Sequence, residues 1–115
     1  MGVVCYSNES KIKLLKVKKK KLLKYGAVSI ETCKQMCKNL LKISKSNIAV
    51  SITGIAGPGG GTVKKPIGLV YIGIASKKKI EINKFIYNKK LSRVKIQKET
   101  LKSTLKIIND HISIL

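Results

Sequence analysis

Asn47-Ile48-Ala49-Val50-Ser51-Ile52-Thr53 runs directly into Gly54-Ile55-Ala56-Gly57-Pro58-Gly59-Gly60-Gly61-Thr62. The first part is a nearly continuous apolar run rich in β-branched residues, as expected of a strand covered on both faces. The second part is a glycine loop, for six of the nine glycines lie between Gly54 and Gly68. Glycine packed so densely implies backbone with no room for a side chain, or in conformations other residues resist. The loop leaves the carboxyl end of its strand, where open α/β sheets bind ligands. Amides gathered there can form a concave nest for phosphate or another anion. No Gly-Lys-Ser/Thr closes the loop, so it is not a Walker loop, nor does it open a helix as a dinucleotide fingerprint does.

Outward from this point the pattern alternates between strand and helix. Ile67–Ala75 is a second apolar run, which reads as another covered strand. Lys79–Tyr87 alternates, with Ile80, Ile82 and Ile86 on one side and Glu81, Asn83 and Phe85 on the other, as an edge strand would. Upstream, Gly2–Tyr6 reads as a short strand, and Ser7 or Asn8 caps a helix through Leu15. A second short helix covers Lys19–Lys24, with Gly26 as its left-handed stop. Ser29 caps a third helix reaching Ser44, with Glu31 near its positive end and a buried stripe of Ile30, Cys33, Cys37, Leu40 and Leu41. Ser92 to His111 forms the longest helix, with an apolar line through Val94, Leu101, Leu105, Ile108 and Ile112 to Leu115. The predicted order is β-α-α-α-β-β-β-α, an α/β layer fold.

At 115 residues and 43 % hydrophobic, the chain makes one domain (residues 1–115) with its own core. The run Ile67–Ala75 is far short of the roughly 20 residues a membrane helix needs, so no membrane role is expected. Nothing at the start reads as an export leader, and three cysteines that fit no zinc spacing with His111 read as reduced thiols in a cytoplasmic setting. The net charge of +20 suggests a polyanion partner at first sight. Yet 24 of the 25 basic residues are Lys and Arg93 is the single Arg, while Ile is abundant and Ala scarce. That usage follows AT-rich codons, and surface lysines are easily tolerated because their stems cover apolar area. A small basic nucleic-acid-binding protein is the competing reading; one Arg and five aromatics argue against base recognition.

A second constellation, Tyr6-Ser7-Asn8-Glu9-Ser10-Lys11, places a tyrosine at a strand end and a lysine one turn into a helix. A neutral lysine there can serve as a general base. Val4–Lys11, then Tyr25-Gly26-Ala27-Val28-Ser29, then Ser51–Thr62 and Lys65-Pro66-Ile67-Gly68 together resemble, in order and spacing, the CinA C-terminal domain family. Stand-alone members of that family are nicotinamide-nucleotide amidases.

The resemblance implies a three-layer α/β/α sandwich, and hydrolysis of nicotinamide mononucleotide to nicotinic acid mononucleotide and ammonia, a pyridine-nucleotide recycling step. It implies no metal and no cofactor. In the family a serine nucleophile is activated by a lysine, which matches Lys11, with Tyr6 beside it as the second catalytic candidate. The substrate-binding set carried over is Thr53, Gly54, Ile55, Ala56, Gly57, Gly59 and Gly60, with Lys89 where the family has an arginine; Arg93 matches a second arginine. Lys89 keeps the charge and loses the bidentate fork, and Tyr87 stands where the family has glycine. The family's serine lies in an Ala-Glu-Ser-Cys-Thr-Gly-Gly segment upstream of Met1, so this chain is expected to lack the first helix–strand–helix unit and to be inactive alone. Expected partners are nicotinamide mononucleotide or a related pyridine nucleotide, and a homo-oligomer stays open. A non-catalytic nucleotide-binding remnant is the alternative within the family.

Overall fold

The computed structural model describes residues 1–113. Helices α1 (Asn8–Leu15), α2 (Lys19–Tyr25) and α3 (Ile30–Ser44) come first. Strands β1 (Ala49–Gly54), β2 (Leu69–Ala75) and β3 (Ile80–Ile86) follow, and α4 (Arg93–Ile112) closes the order. The strands form one antiparallel sheet in the order β1-β2-β3. Three helices start on the serines that the sequence marked. Ser7 Oγ accepts from Ser10 N at 3.0 Å, Ser29 Oγ from Thr32 N at 3.2 Å, and Ser92 Oγ from Lys95 N at 3.2 Å. Each such cap is worth about 1 kcal/mol.

The sheet is sandwiched between helices. α3 covers one face, where Ser51 Oγ donates to Cys33 O at 2.7 Å and lies 3.2 Å from Cys33 Sγ. Gly73, directly opposite Ser51, permits this approach. A Cβ there would stand 2.8 Å from Ser51 Oγ and 3.1 Å from Cys33 Sγ. On the other face Ile96 of α4 packs on Val70 and Ile72, all three buried. α1 and α2 close over α3 through Leu15, Val17, Leu22 and Met36. The three-layer α/β/α arrangement expected from the resemblance is therefore the observed one.

Several local expectations change. Gly2–Tyr6 is extended but joins no ladder. Val3 and Cys5 pack toward the α1–α3 core while Val4 and Tyr6 face outward, so the alternation of a strand persists without its hydrogen bonds. Gly26 takes φ 83°, ψ 171°, a positive φ outside the left-handed helical region. In α3 the buried residues are Thr32, Cys33, Met36 and Cys37, whereas Ile30 faces solvent and Leu40 and Leu41 are half-buried. β1 is covered on its α3 face only, since Ile52 on the opposite face is 45 % exposed.

The largest change is in α4. Its buried residues are Ile96, Thr100, Thr104 and His111, while Val94, Leu101, Leu105 and Ile112 are exposed. Leu115 lies outside the described residues. Thr100 and Thr104 satisfy their hydroxyls on the carbonyls of Ile96 and Thr100, each at 2.7 Å. Their polar atoms are thereby spent within the helix, which makes a threonine face fit to bury. A reading by hydropathy alone selects the other, more apolar stripe.

Candidate functional site

One cavity of about 580 Å³ lies between the extended Val3–Tyr6 segment and β1. Its polar end gathers Tyr6, Lys11, Thr53, Gly54 and Arg93. The Ser7 cap sets the start of α1, so that Lys11 N donates to Ser7 O at 3.2 Å and its side chain turns inward. Lys11 is only 7 % exposed, and its Nζ donates to Cys5 O at 3.3 Å. Tyr6 stands on the rim, 92 % exposed. Thr53 is held by its hydroxyl, which donates to Ala27 O at 2.8 Å.

Beyond Gly54 the glycine loop folds back on β2. Ile55 N donates to Leu69 O at 2.9 Å and Gly68 N to Ile55 O at 2.7 Å. Arg93, the first residue of α4, donates from Nη1 to Gly57 O at 3.1 Å and so ties the loop to the cavity. The Lys65 ammonium donates to Tyr25 O and fastens the loop's return to the end of α2. The bond sits where a Cβ on Gly26 would meet Lys65 Nζ at 2.7 Å.

The residues expected from the sequence thus divide. Tyr6, Lys11, Thr53 and Gly54 come together in the cavity. Ile55 and Gly57 lie on the adjoining loop; Ala56 instead lines a separate hollow of about 300 Å³ with Ile52 and Leu101. Gly59 and Gly60 are at the exposed tip. Lys89 lines a third hollow with Gly61 and Thr62, and no wall of the Lys11 cavity. Arg93, absent from the expected binding set, does line that cavity. Its match to a family arginine was the available signal; its position at the start of a helix gave no hint of contact with the glycine loop.

No serine among the described residues is presented freely to Lys11. Ser7 and Ser10 hydroxyls bond each other at 2.9 Å on the outside of α1, and Ser51 is spent on Cys33 O. Burial pushes the Cys33 thiol up to about 12 and Cys37 in the same direction, so both stay protonated core residues. His111 is buried at the far end of α4, with Nε2 3.0 Å from Ser76 Oγ, away from the cavity. Among the described residues, no helix is long and apolar enough to cross a membrane.

A three-layer domain with a cavity beside the carboxyl end of β1, lined by Lys11, Arg93 and the first glycine of the loop, places the chain in the α/β class. The comparisons make this specific. A model described as the CinA C-terminal domain matches residues 1–112, and the chain belongs to that family. A CinA-like protein of Endomicrobium trichonymphae is 55 % identical over 107 residues, which are 93 % of this chain and 24 % of the relative. A competence-damage inducible protein of Thermoanaerobacter pseudethanolicus is 44 % identical over 112 residues, 97 % of this chain and 27 % of its own length. The chain therefore spans about a quarter of the curated relatives it matches. Among solved structures, the competence/damage inducible protein CihA of Agrobacterium tumefaciens superposes with a TM-score of 0.89 at 34 % identity. That match covers 92 % of this chain and 64 % of the other. A CinA superfamily protein of Klebsiella pneumoniae, at 23 % identity and a TM-score of 0.88, shares the fold.

Proposed function

We propose that the Lys11 cavity is the substrate site of a CinA-type nicotinamide-nucleotide amidase domain, taking nicotinamide mononucleotide or a close pyridine nucleotide. The supporting observation is one lysine, almost wholly buried, sharing a cavity with Tyr6, Thr53, Gly54 and Arg93 beside a glycine loop. The volume of about 580 Å³ falls within the range of small-ligand sites, about 300–1,000 Å³.

In this reading a hydroxyl oxygen attacks the carboxamide carbon while Lys11 serves as the general base that takes its proton. Collapse breaks the C–N bond, and the lysine's proton leaves with the nitrogen as ammonia. Water then cleaves the acyl ester to give the carboxylic acid. Arg93 supplies a fixed cation for the nucleotide's phosphate. Because Ser7, Ser10 and Ser51 are otherwise engaged, the described residues supply the pocket and the base but not the attacking hydroxyl. The expected behaviour of this chain alone is binding without turnover.

The test is incubation with nicotinamide mononucleotide, measuring ammonia and, separately, equilibrium binding by calorimetry. Saturable binding weakened by Arg93→Ala, with no ammonia, supports the reading. A cooperatively folded chain that fails to bind, or ammonia release that survives Lys11→Met, contradicts it.

A further inference from the structure

Eight of the 24 lysines lie between Glu9 and Glu31, a stretch that holds no acidic residue. Codon usage accounts for the number of lysines in the chain but not for their gathering in one place. Lys11 turns into the cavity and Lys13 pairs with Glu9. Lys16, Lys18, Lys19, Lys20 and Lys24 are exposed, and the other ion pairs of the described residues, Lys79–Glu81 and Lys102–Glu99, lie elsewhere. Lys18 N donates to Gln35 Oε1 at 2.7 Å and Asn39 Nδ2 to Leu15 O at 2.9 Å, which lays the α1–α2 junction along α3. Exposed Lys38 and Lys42, each three residues beyond one of those anchors, are their neighbours on the helix surface and widen the same cationic face. In α2 Leu22 is buried while Leu23 is 77 % exposed. Lys19 and Lys20 precede Leu23 by one turn, and Lys24, four after Lys20, continues that face. Lys21 and Lys24 lie over the Tyr25 ring, 5.4 and 5.2 Å from its centroid.

We propose that this lysine face of α2 and the α1–α2 junction docks on an anionic lipid bilayer, with its ammonium groups at headgroup level and Leu23 set into the acyl boundary. A cluster of this size draws a protein to anionic lipid with a gain of about fivefold in affinity per lysine. Leu23 decides the class of partner. The phosphates of a nucleic acid are met by cations alone, and an exposed leucine among them gains nothing. At a bilayer surface the same leucine leaves water. The face holds no arginine, so it lacks the planar fork that reads bases, and it offers the point charges that suffice for headgroups. The Tyr25 ring, which could stack on a base, is already engaged by two ammonium groups. Such a contact is peripheral and needs no spanning helix, so the shortness of the chain's apolar runs does not exclude it.

The test is sedimentation of the chain with vesicles of phosphatidylcholine containing about one-third phosphatidylglycerol, against vesicles of phosphatidylcholine alone. Binding is expected only to the mixed vesicles and is expected to weaken as salt rises. Lys19→Gln, Lys20→Gln and Lys24→Gln together are expected to weaken it about a hundredfold, at roughly fivefold per lysine. Lys77→Gln, Lys78→Gln and Lys98→Gln together remove the same charge from exposed positions elsewhere and are expected to change it less than about threefold. Leu23→Ser, at unchanged charge, is expected to weaken it by at least about fivefold. Every one of these positions is exposed, so each variant is expected to keep the parent's urea midpoint. No binding to the mixed vesicles overturns the proposal. Equal losses from the two triple variants also overturn it, since net charge would then act without a defined face. Full binding by Leu23→Ser overturns it as well, because a face that meets phosphates by charge alone, as nucleic acid presents them, has no use for that leucine. No nucleotide enters the measurement, so failure of the amidase reading leaves the outcome untouched.

Discussion

Ile96→Ala separates the two faces of α4. Ile96 is fully buried against Val70 and Ile72, and it is the apolar side chain by which the first half of α4 meets the sheet. The substitution removes three carbon groups, about 2.4 kcal/mol of transfer energy at roughly 0.8 kcal/mol each. The cavity left between α4 and β2 adds to this, bringing the expected loss to about 3–4 kcal/mol. That is a large share of the roughly 5–15 kcal/mol a domain of this kind holds. Leu101→Ala, in contrast, trims a side chain that is 58 % exposed and is expected to stay within about 0.5 kcal/mol of the parent. Urea unfolding followed by circular dichroism, with m-values compared, reads both. Equal losses for the two variants, or a larger loss for Leu101→Ala, would refute the assignment of the threonine-bearing face to the core.

Other outcomes follow from single contacts. Gly68 has φ +95°, and an added Cβ would collide with the Tyr87 carbonyl oxygen, so Gly68→Ala is expected to lose about 3 kcal/mol or more, or fail to fold, in the same urea assay. Thr53→Val leaves Ala27 O without its donor and is expected to cost about 1–3 kcal/mol, read as a lowered urea midpoint at unchanged m-value. Burial raises Cys33 from its ordinary 9.0 to about 12. The folded state therefore favours the protonated thiol, and its contribution is whole below pH 9 and is lost as pH climbs toward 12. The loss is about 1.4 kcal/mol per pH unit in that window, measured as the difference in urea midpoint between the parent and Cys33→Ala. By the same burial, iodoacetamide under native conditions at pH 8 is expected to label the half-buried Cys5 well before Cys33 or Cys37, read by mass spectrometry.

The elements with strong local signals were readable in the sequence. Ser7, Ser29 and Ser92 announced three helix starts because a cap is a short-range hydrogen bond, and the alternation over Ile80–Ile86 marked an edge strand. What was not readable depends on neighbours. Gly2–Tyr6 has the composition of a strand, yet ladder formation needs a partner edge within reach, and a cavity lies there instead. α4 carries two apolar stripes, and only the sheet's shape chooses Thr100 and Thr104 over Leu101 and Leu105. Of the residues the family motifs singled out, Tyr6, Lys11, Thr53 and Gly54 line one cavity, because chain order and spacing fix them relative to α1 and β1. Lys89 fell in another hollow and Arg93 entered the cavity, since the path of the loop between β3 and α4 decides which cation reaches it.

The most direct measurement of the central claim is a titration of the labelled chain with nicotinamide mononucleotide, followed by NMR shift mapping. The account predicts saturable shifts clustered at Tyr6, Lys11, Thr53, Gly54 and Arg93, lost in Arg93→Ala. Shifts spread over the exposed lysines and vanishing with added salt would be the mark of unspecific charge attraction and would contradict it.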